Sequence, residues 1–128
     1  MSINGLIERL EYLQGRDQHV GQEKRKFVRL IYPPPKRPLL KVRNYEVEVV
    51  DISERGIRLF NYMQHEFDKN IQGMVVFQNG TSLEVNGEIV WQFKNELGLL
   101  GTHIPRIIIE KEAYNLSRYF QEKLGGQY

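Results

Sequence analysis

From Leu39 to Ile104 the chain is a succession of short runs in which apolar and polar residues alternate, separated by turn formers. A period of two sends successive side chains to opposite faces, so each run suits a strand with one buried face and one wet face. Residues 39–43 and 45–50 flank Asn44; in the second run Tyr45, Val47 and Val49 share one face, and Glu46 and Glu48 the other. Residues 56–60 repeat the pattern, with Ile57 and Leu59 turned away from Arg58. A more apolar run, 71–77, precedes Asn79-Gly80, a hairpin signal. Leu83, Val85, Ile89 and Trp91 alternate along a long strand, with a bulge or bend expected at Gly87. Residues 97–104 complete the set. Six short strands joined by turns predict a mainly β fold, a small antiparallel barrel.

Helical periodicity marks both ends. Ile3, Leu6, Ile7, Leu10 and Leu13 predict an amphipathic helix over residues 3–14, stopped by Gly15 and followed by a polar linker over 16–23. Its apolar stripe is expected to pack on its own barrel or on a neighbouring one, so a homodimer is allowed. Pro33, Pro34, Pro35 and Pro38 require an extended stretch outside the sheet. Pro105 opens a last helix with an apolar stripe of Ile109, Ala113, Leu116, Phe120 and Leu124, ended by Gly125. Glu110 and Glu112 lie early and Arg118 and Lys123 late, which complements the helix dipole. Residues 1–22 are therefore a helix and linker, and residues 23–128 a barrel capped by its C-terminal helix.

With 128 residues there is room for one domain and none for a separate catalytic one. No apolar run approaches membrane-spanning length, and Glu8, Arg9 and Glu11 break up any secretion signal. A cytoplasmic location is expected, with no membrane partner. The absence of cysteine excludes disulfides, thiolate zinc sites and cysteine nucleophiles. His19, His65 and His103 have no second ligand at metal-site spacing, so no metal is expected. No nucleophile–base pair appears, which predicts a protein that is not an enzyme. Net charge is only +2, but residues 24–58 hold ten basic side chains against four acidic ones. That segment stands at +6 and the remainder at −4, which points to an anionic partner for the first half.

Two motifs lie in the basic segment: Arg25-Lys26-Phe27-Val28-Arg29 and Asp51-Ile52-Ser53-Glu54-Arg55-Gly56. Alone, each is weak, because arginines four apart are common and an Asp-x-Ser-x-x-Gly turn often joins strands. Together and in this order they resemble the PilZ domain family, whose members bind cyclic dimeric GMP. That family carries two arginines four apart, then Asp or Asn, a Ser two later and a Gly three beyond. Gly87-Glu88-Ile89-Val90-Trp91 and residues 97–104 are similar to its closing strands, and the resemblance covers residues 23–120.

The resemblance implies a non-enzymatic receptor that needs no cofactor and binds cyclic dimeric GMP through Arg25, Arg29, Asp51, Ser53 and Gly56. The chemistry agrees with it. Arginine forks match guanine O6 and N7 and also grip phosphate. A carboxylate can accept from guanine's N–H edge, a serine hydroxyl can donate or accept, and glycine lets backbone come close. Lys24, Lys26, Arg55, Arg58 and Trp91 are subsidiary candidates. The segment from Arg25 to Arg29 is expected to move onto the barrel with ligand and so alter the surface offered to an unidentified protein partner. Bacterial second-messenger signalling, controlling motility, biofilm or exopolysaccharide, would be the setting. A nucleotide-independent adaptor using the first helix and the proline run is the rival reading. A single-stranded nucleic-acid binder would need aromatics interleaved with the basic residues; only Phe27, Tyr32 and Tyr45 lie there, so nucleic acid is not expected.

Overall fold

The computed structural model describes residues 28–125. The expected N-terminal helix, the linker, and Lys24, Arg25, Lys26 and Phe27 lie outside the described residues.

Seven strands and one helix follow in chain order: β1 (Leu30–Ile31), β2 (Leu39–Val42), β3 (Tyr45–Ile52), β4 (Gly56–Phe60), β5 (Asn70–Val76), β6 (Ser82–Phe93), β7 (Glu96–Leu100) and α1 (Arg106–Gly125). All pairings are antiparallel. The ring runs β3-β2-β5-β6-β7-β4 and closes by β4 pairing back to β3. This is the expected six-stranded barrel. Closure leaves its six members no free edge.

The two-residue β1 was not foreseen. It pairs with the far end of β3, Leu30 opposite Ile52 and Ile31 opposite Asp51. Tyr32 N donates to Val50 O at 2.9 Å, and Val49 N donates to Pro38 O at 2.9 Å. Residues 30–32 and 38–42 thus run along one edge of β3, with the prolines looped out between them. That detour is not extended throughout. Pro34–Lys36 form a turn of 3-10 helix, with Lys36 N bonded to Pro33 O, because proline's fixed φ suits a first helical position.

Two irregularities set the parity of the strands. The β3–β4 register shifts between Val49 and Asp51, and the β6–β7 register between Ile89 and Trp91. Each bulge adds one residue and so exchanges the faces beyond it. Val49 and Ile52 both point inward, while Asp51 points outward opposite Arg58. The bulge in β6 falls at Val90 and not at Gly87. It turns Trp91 outward, away from the face Ile89 occupies. Strand β7 ends at Leu100, short of residue 104, because Gly101 turns the chain at φ 92.

The core holds Leu30, Leu40, Val47, Val49, Ile52, Ile57, Leu59, Val75, Val85, Leu97 and Leu99 from the barrel, joined by Ile109, Ala113 and Leu116 of α1. The helix therefore caps the barrel with its expected stripe. Glu112, expected only to complement the helix dipole, is buried and accepts a hydrogen bond from Tyr32.

Leu59 is fully buried at the centre of this core, between Val49 on β3 and Leu97 on β7. Leu59→Ala should lower the unfolding free energy by about 2–5 kcal/mol. Urea denaturation should show a lower midpoint at unchanged slope, while Met63→Ala, at an exposed position, should leave the midpoint nearly in place.

Candidate functional site

Register builds the site on the outer face of the barrel. Ile31, Asp51, Arg58, Gly98 and Trp91 stand opposite one another on adjacent strands and form a single row across β1, β3, β4, β7 and β6. Residues opposite one another share a face, so the two bulges bring Asp51 and Trp91 to the same side of the wall as Arg58.

Asp51 sits at the centre. It is 1% exposed although it faces outward. Arg29 NH1 donates to its Oδ1 at 2.8 Å, and Arg58 Nε lies 2.8 Å from its Oδ2. The second contact brings opposite charges together without hydrogen-bond geometry, since Arg58 Nε has no hydrogen-bond partner among the described residues. Arg58 also reaches Glu96 Oε1 at 3.6 Å. The arginine side chains are 43% and 35% exposed, so each keeps N–H groups turned to solvent. Two half-exposed guanidinium groups held by a buried carboxylate can still meet an anion that arrives from solvent.

The connection after β3 has only three residues, Ser53, Glu54 and Arg55; Asp51 and Ile52 belong to the strand and not to a loop. Ser53 N donates to Gly56 O at 2.9 Å, and Gly56 N donates to Ser53 Oγ at 3.2 Å. The Ser53 hydroxyl is buried and closes its own turn. Gly56 is required by packing: a Cβ there would lie 2.9 Å from Leu99 O. Gly101 N donates to Arg55 O and Ile104 N to Glu54 O, both at 2.8 Å, which ties the turn to the segment entering α1. The Arg55 side chain is exposed on this turn.

Trp91 lies flat over Gly98, where a Cβ would fall on the indole ring. This leaves an aromatic face, 42% exposed, one position along the row from Arg58 and two from Asp51. The structure thus unites Arg29, Asp51, Arg58 and Trp91, with Ser53 and Gly56 in the adjoining turn. Two contributors escaped sequence reasoning. Glu96 holds Arg58 from the next strand, and Gly98 seats the tryptophan. A glycine inside a predicted strand was the available signal for the latter.

Elsewhere, a cavity of about 400 Å³ lies over β5 and β6, lined by Asn70, Ile71, Gln72, Asn86, Gly87 and Glu88. Its lining holds amides and a carboxylate but no cation, which suits a phosphate poorly. Among the described residues no group of three His, Asp or Glu is placed to hold a metal ion, and no helix is long and apolar enough to cross a membrane.

Comparison with known proteins places these features. The family model for the PilZ domain matches residues 23–119. No curated protein matches the chain in sequence. Among solved structures, an uncharacterised Legionella protein aligns with a TM-score of 0.50 at 20% identity, covering 74% of this chain and 96% of its own. The Bacillus subtilis inhibitor of motility, MotI/DgrA, aligns with a TM-score of 0.52 at 11% identity, covering 80% of this chain and 53% of its own. At these identities the two structures share the fold.

The seat of Trp91 is directly testable, because it is the only tryptophan in the chain. Gly98→Ala should push the indole off the sheet and into water. Its fluorescence emission should shift to the red, with no change in the far-ultraviolet circular dichroism of the barrel.

Proposed function

The chain belongs to the PilZ domain family, and from that premise we propose that it is a cytoplasmic, non-enzymatic receptor for cyclic dimeric GMP that regulates a protein partner. The observation that carries this reading is the outward-facing Asp51 carboxylate, buried between Arg29 and Arg58 in one row with the exposed face of Trp91.

Each part has a counterpart on the ligand. Cyclic dimeric GMP carries two phosphates and two guanines. The half-exposed guanidinium of Arg29 can hold a phosphate with charge-assisted hydrogen bonds, and Arg25, four residues earlier in the sequence, would add a second guanidinium. Arg58 can offer a fork to guanine O6 and N7, and Asp51 can accept from the opposite guanine edge. The Trp91 face can stack a base. Gly56 and the Ser53 turn keep the neighbouring surface low, so that backbone N–H groups come near the ligand.

Ligand binding requires an exchange of partners. Arg29 now satisfies Asp51, and a phosphate would compete for that guanidinium. Drawing Arg29 from Asp51 toward a phosphate would shift the backbone that Arg29 leads into β1 and so alter the surface offered to a protein partner. Exposed apolar side chains such as Tyr62, Met63 and Phe93 would be available to such a partner. Sharing a fold with a motility inhibitor is in keeping with output of this kind.

Isothermal titration with cyclic dimeric GMP should give saturable heat that weakens as salt is raised. The double variant Arg25→Ala, Arg29→Ala removes two charged contacts of about 1.5–3 kcal/mol each, so affinity should fall at least about a hundredfold. Absence of heat with the native protein, or undiminished affinity in the double variant, would defeat the proposal.

A further inference from the structure

The backbone that continues from each motif leads to the same element outside the arginine–carboxylate row, the helix α1. The first segment reaches it through Tyr32. Arg29 leads directly into β1, whose residues pair with Ile52 and Asp51, and Tyr32 follows at once. Tyr32 is 3% exposed, and its hydroxyl donates a 2.6 Å hydrogen bond to Glu112 Oε1 on α1, itself 7% exposed. The second segment reaches the helix through backbone bonds from Ile104 and Gly101 to Glu54 and Arg55, and through Arg106 NH1, 3.9 Å from Glu54 Oε1.

Seating α1 does not require a buried carboxylate. Ile109, Ala113 and Leu116 already fill its inner face, and an apolar residue at position 112 would avoid the desolvation cost. What the carboxylate adds is direction. A short charge-assisted O–H···O bond is lost on a small displacement, whereas apolar contacts tolerate sliding. Burial, and then the neighbouring carboxylate, raise Tyr32 above the ordinary tyrosine value, so its hydroxyl stays a donor. Arg29 and Tyr32 are joined by about 10 Å of extended backbone, a stiff link along β3.

We propose that the Tyr32–Glu112 hydrogen bond is a latch through which the position of Arg29 sets the seating of α1. When Arg29 leaves Asp51, β1 shifts against β3, the bond breaks and the helix loosens. That cyclic dimeric GMP draws Arg29 away rests on the receptor reading above; the latch itself belongs to the free chain.

Amide hydrogen exchange of α1 in a double-mutant cycle tests it. Arg29→Ala in the native background should speed exchange across α1 by roughly fivefold, and in a Tyr32→Phe background by less than about twofold. Glu112→Gln keeps an acceptor for the tyrosine and should preserve the native response; Glu112→Leu should abolish it without unseating the helix. Equal acceleration in the native and Tyr32→Phe backgrounds, or none in the native one, would overturn the latch. Titration of both proteins with cyclic dimeric GMP separates the two proposals. Heat from both, with an α1 response only in the native protein, supports the latch. Heat from both with the same α1 response overturns it and leaves the receptor reading standing. No heat from either defeats the receptor reading alone, and the ligand-free cycle then decides the latch.

Discussion

The outer face of this barrel depends on one buried carboxylate. Taking Asp51 out of water costs several kcal/mol. Two cationic contacts at 2.8 Å return a sum of similar size, partly screened because both arginines are open to solvent. The two terms oppose each other, and a buried ion pair is weak evidence of stability. The cluster's effect is positional: it holds Arg29 at the start of β1 and Arg58 on β4, both with N–H groups facing outward. The bulge between Val49 and Asp51 makes this possible. Under strict alternation Asp51 would instead share the inward face of Val47 and Val49 and point into the core beside Leu59 and Leu97.

In the proposed receptor the same geometry would couple ligand binding to Arg29. Arg29 serves Asp51 in the free chain and would serve a phosphate in the complex, so binding trades one ion pair for another. Only the difference between the two states can drive a structural change. The backbone on either side of the site determines where such a change goes. Upstream lies the first motif arginine; downstream, three residues on, is Tyr32 against α1. Closure of the six-stranded ring leaves the barrel itself little freedom. In the proposed latch the part that yields is therefore the helix α1, seated against the barrel core by its inner face.

Much of the architecture was legible in the sequence, and the exceptions share a cause. Alternation fixed the six barrel strands because one face of each is buried and the other wet. Ile109, Ala113, Leu116 and Phe120 marked the inner face of α1 by the same logic at helical spacing. The bulges were not legible, since adding one residue depends on the register of the partner strand. Hence Asp51 read as part of a loop, and Trp91 as sharing a face with Ile89. Two-residue β1 is too short for any period. Pro34–Lys36 became a 3-10 turn because the edge of β3 continues on both sides and the prolines had to loop out. Glu112 read only as a charge complementing the dipole, since nothing local shows that a tyrosine eighty positions away reaches it. Arg29, Asp51, Ser53 and Gly56 were identified from motif spacing, while the roles of Arg58 and Glu96 rest on cross-strand neighbours that only the fold supplies.

In the proposed receptor, the row from Asp51 to Trp91 is where a guanine dinucleotide would bind. Amide and arginine side-chain NMR shifts, followed as cyclic dimeric GMP is added to the ¹⁵N-labelled full chain, test it most directly. The account predicts the largest shifts at Arg29, Asp51 to Gly56, Arg58, Gly98 and the Trp91 indole, with smaller ones spreading into α1. Shifts confined to β5 and β6 around Gln72 and Asn86, or no shifts at saturating ligand, would contradict it.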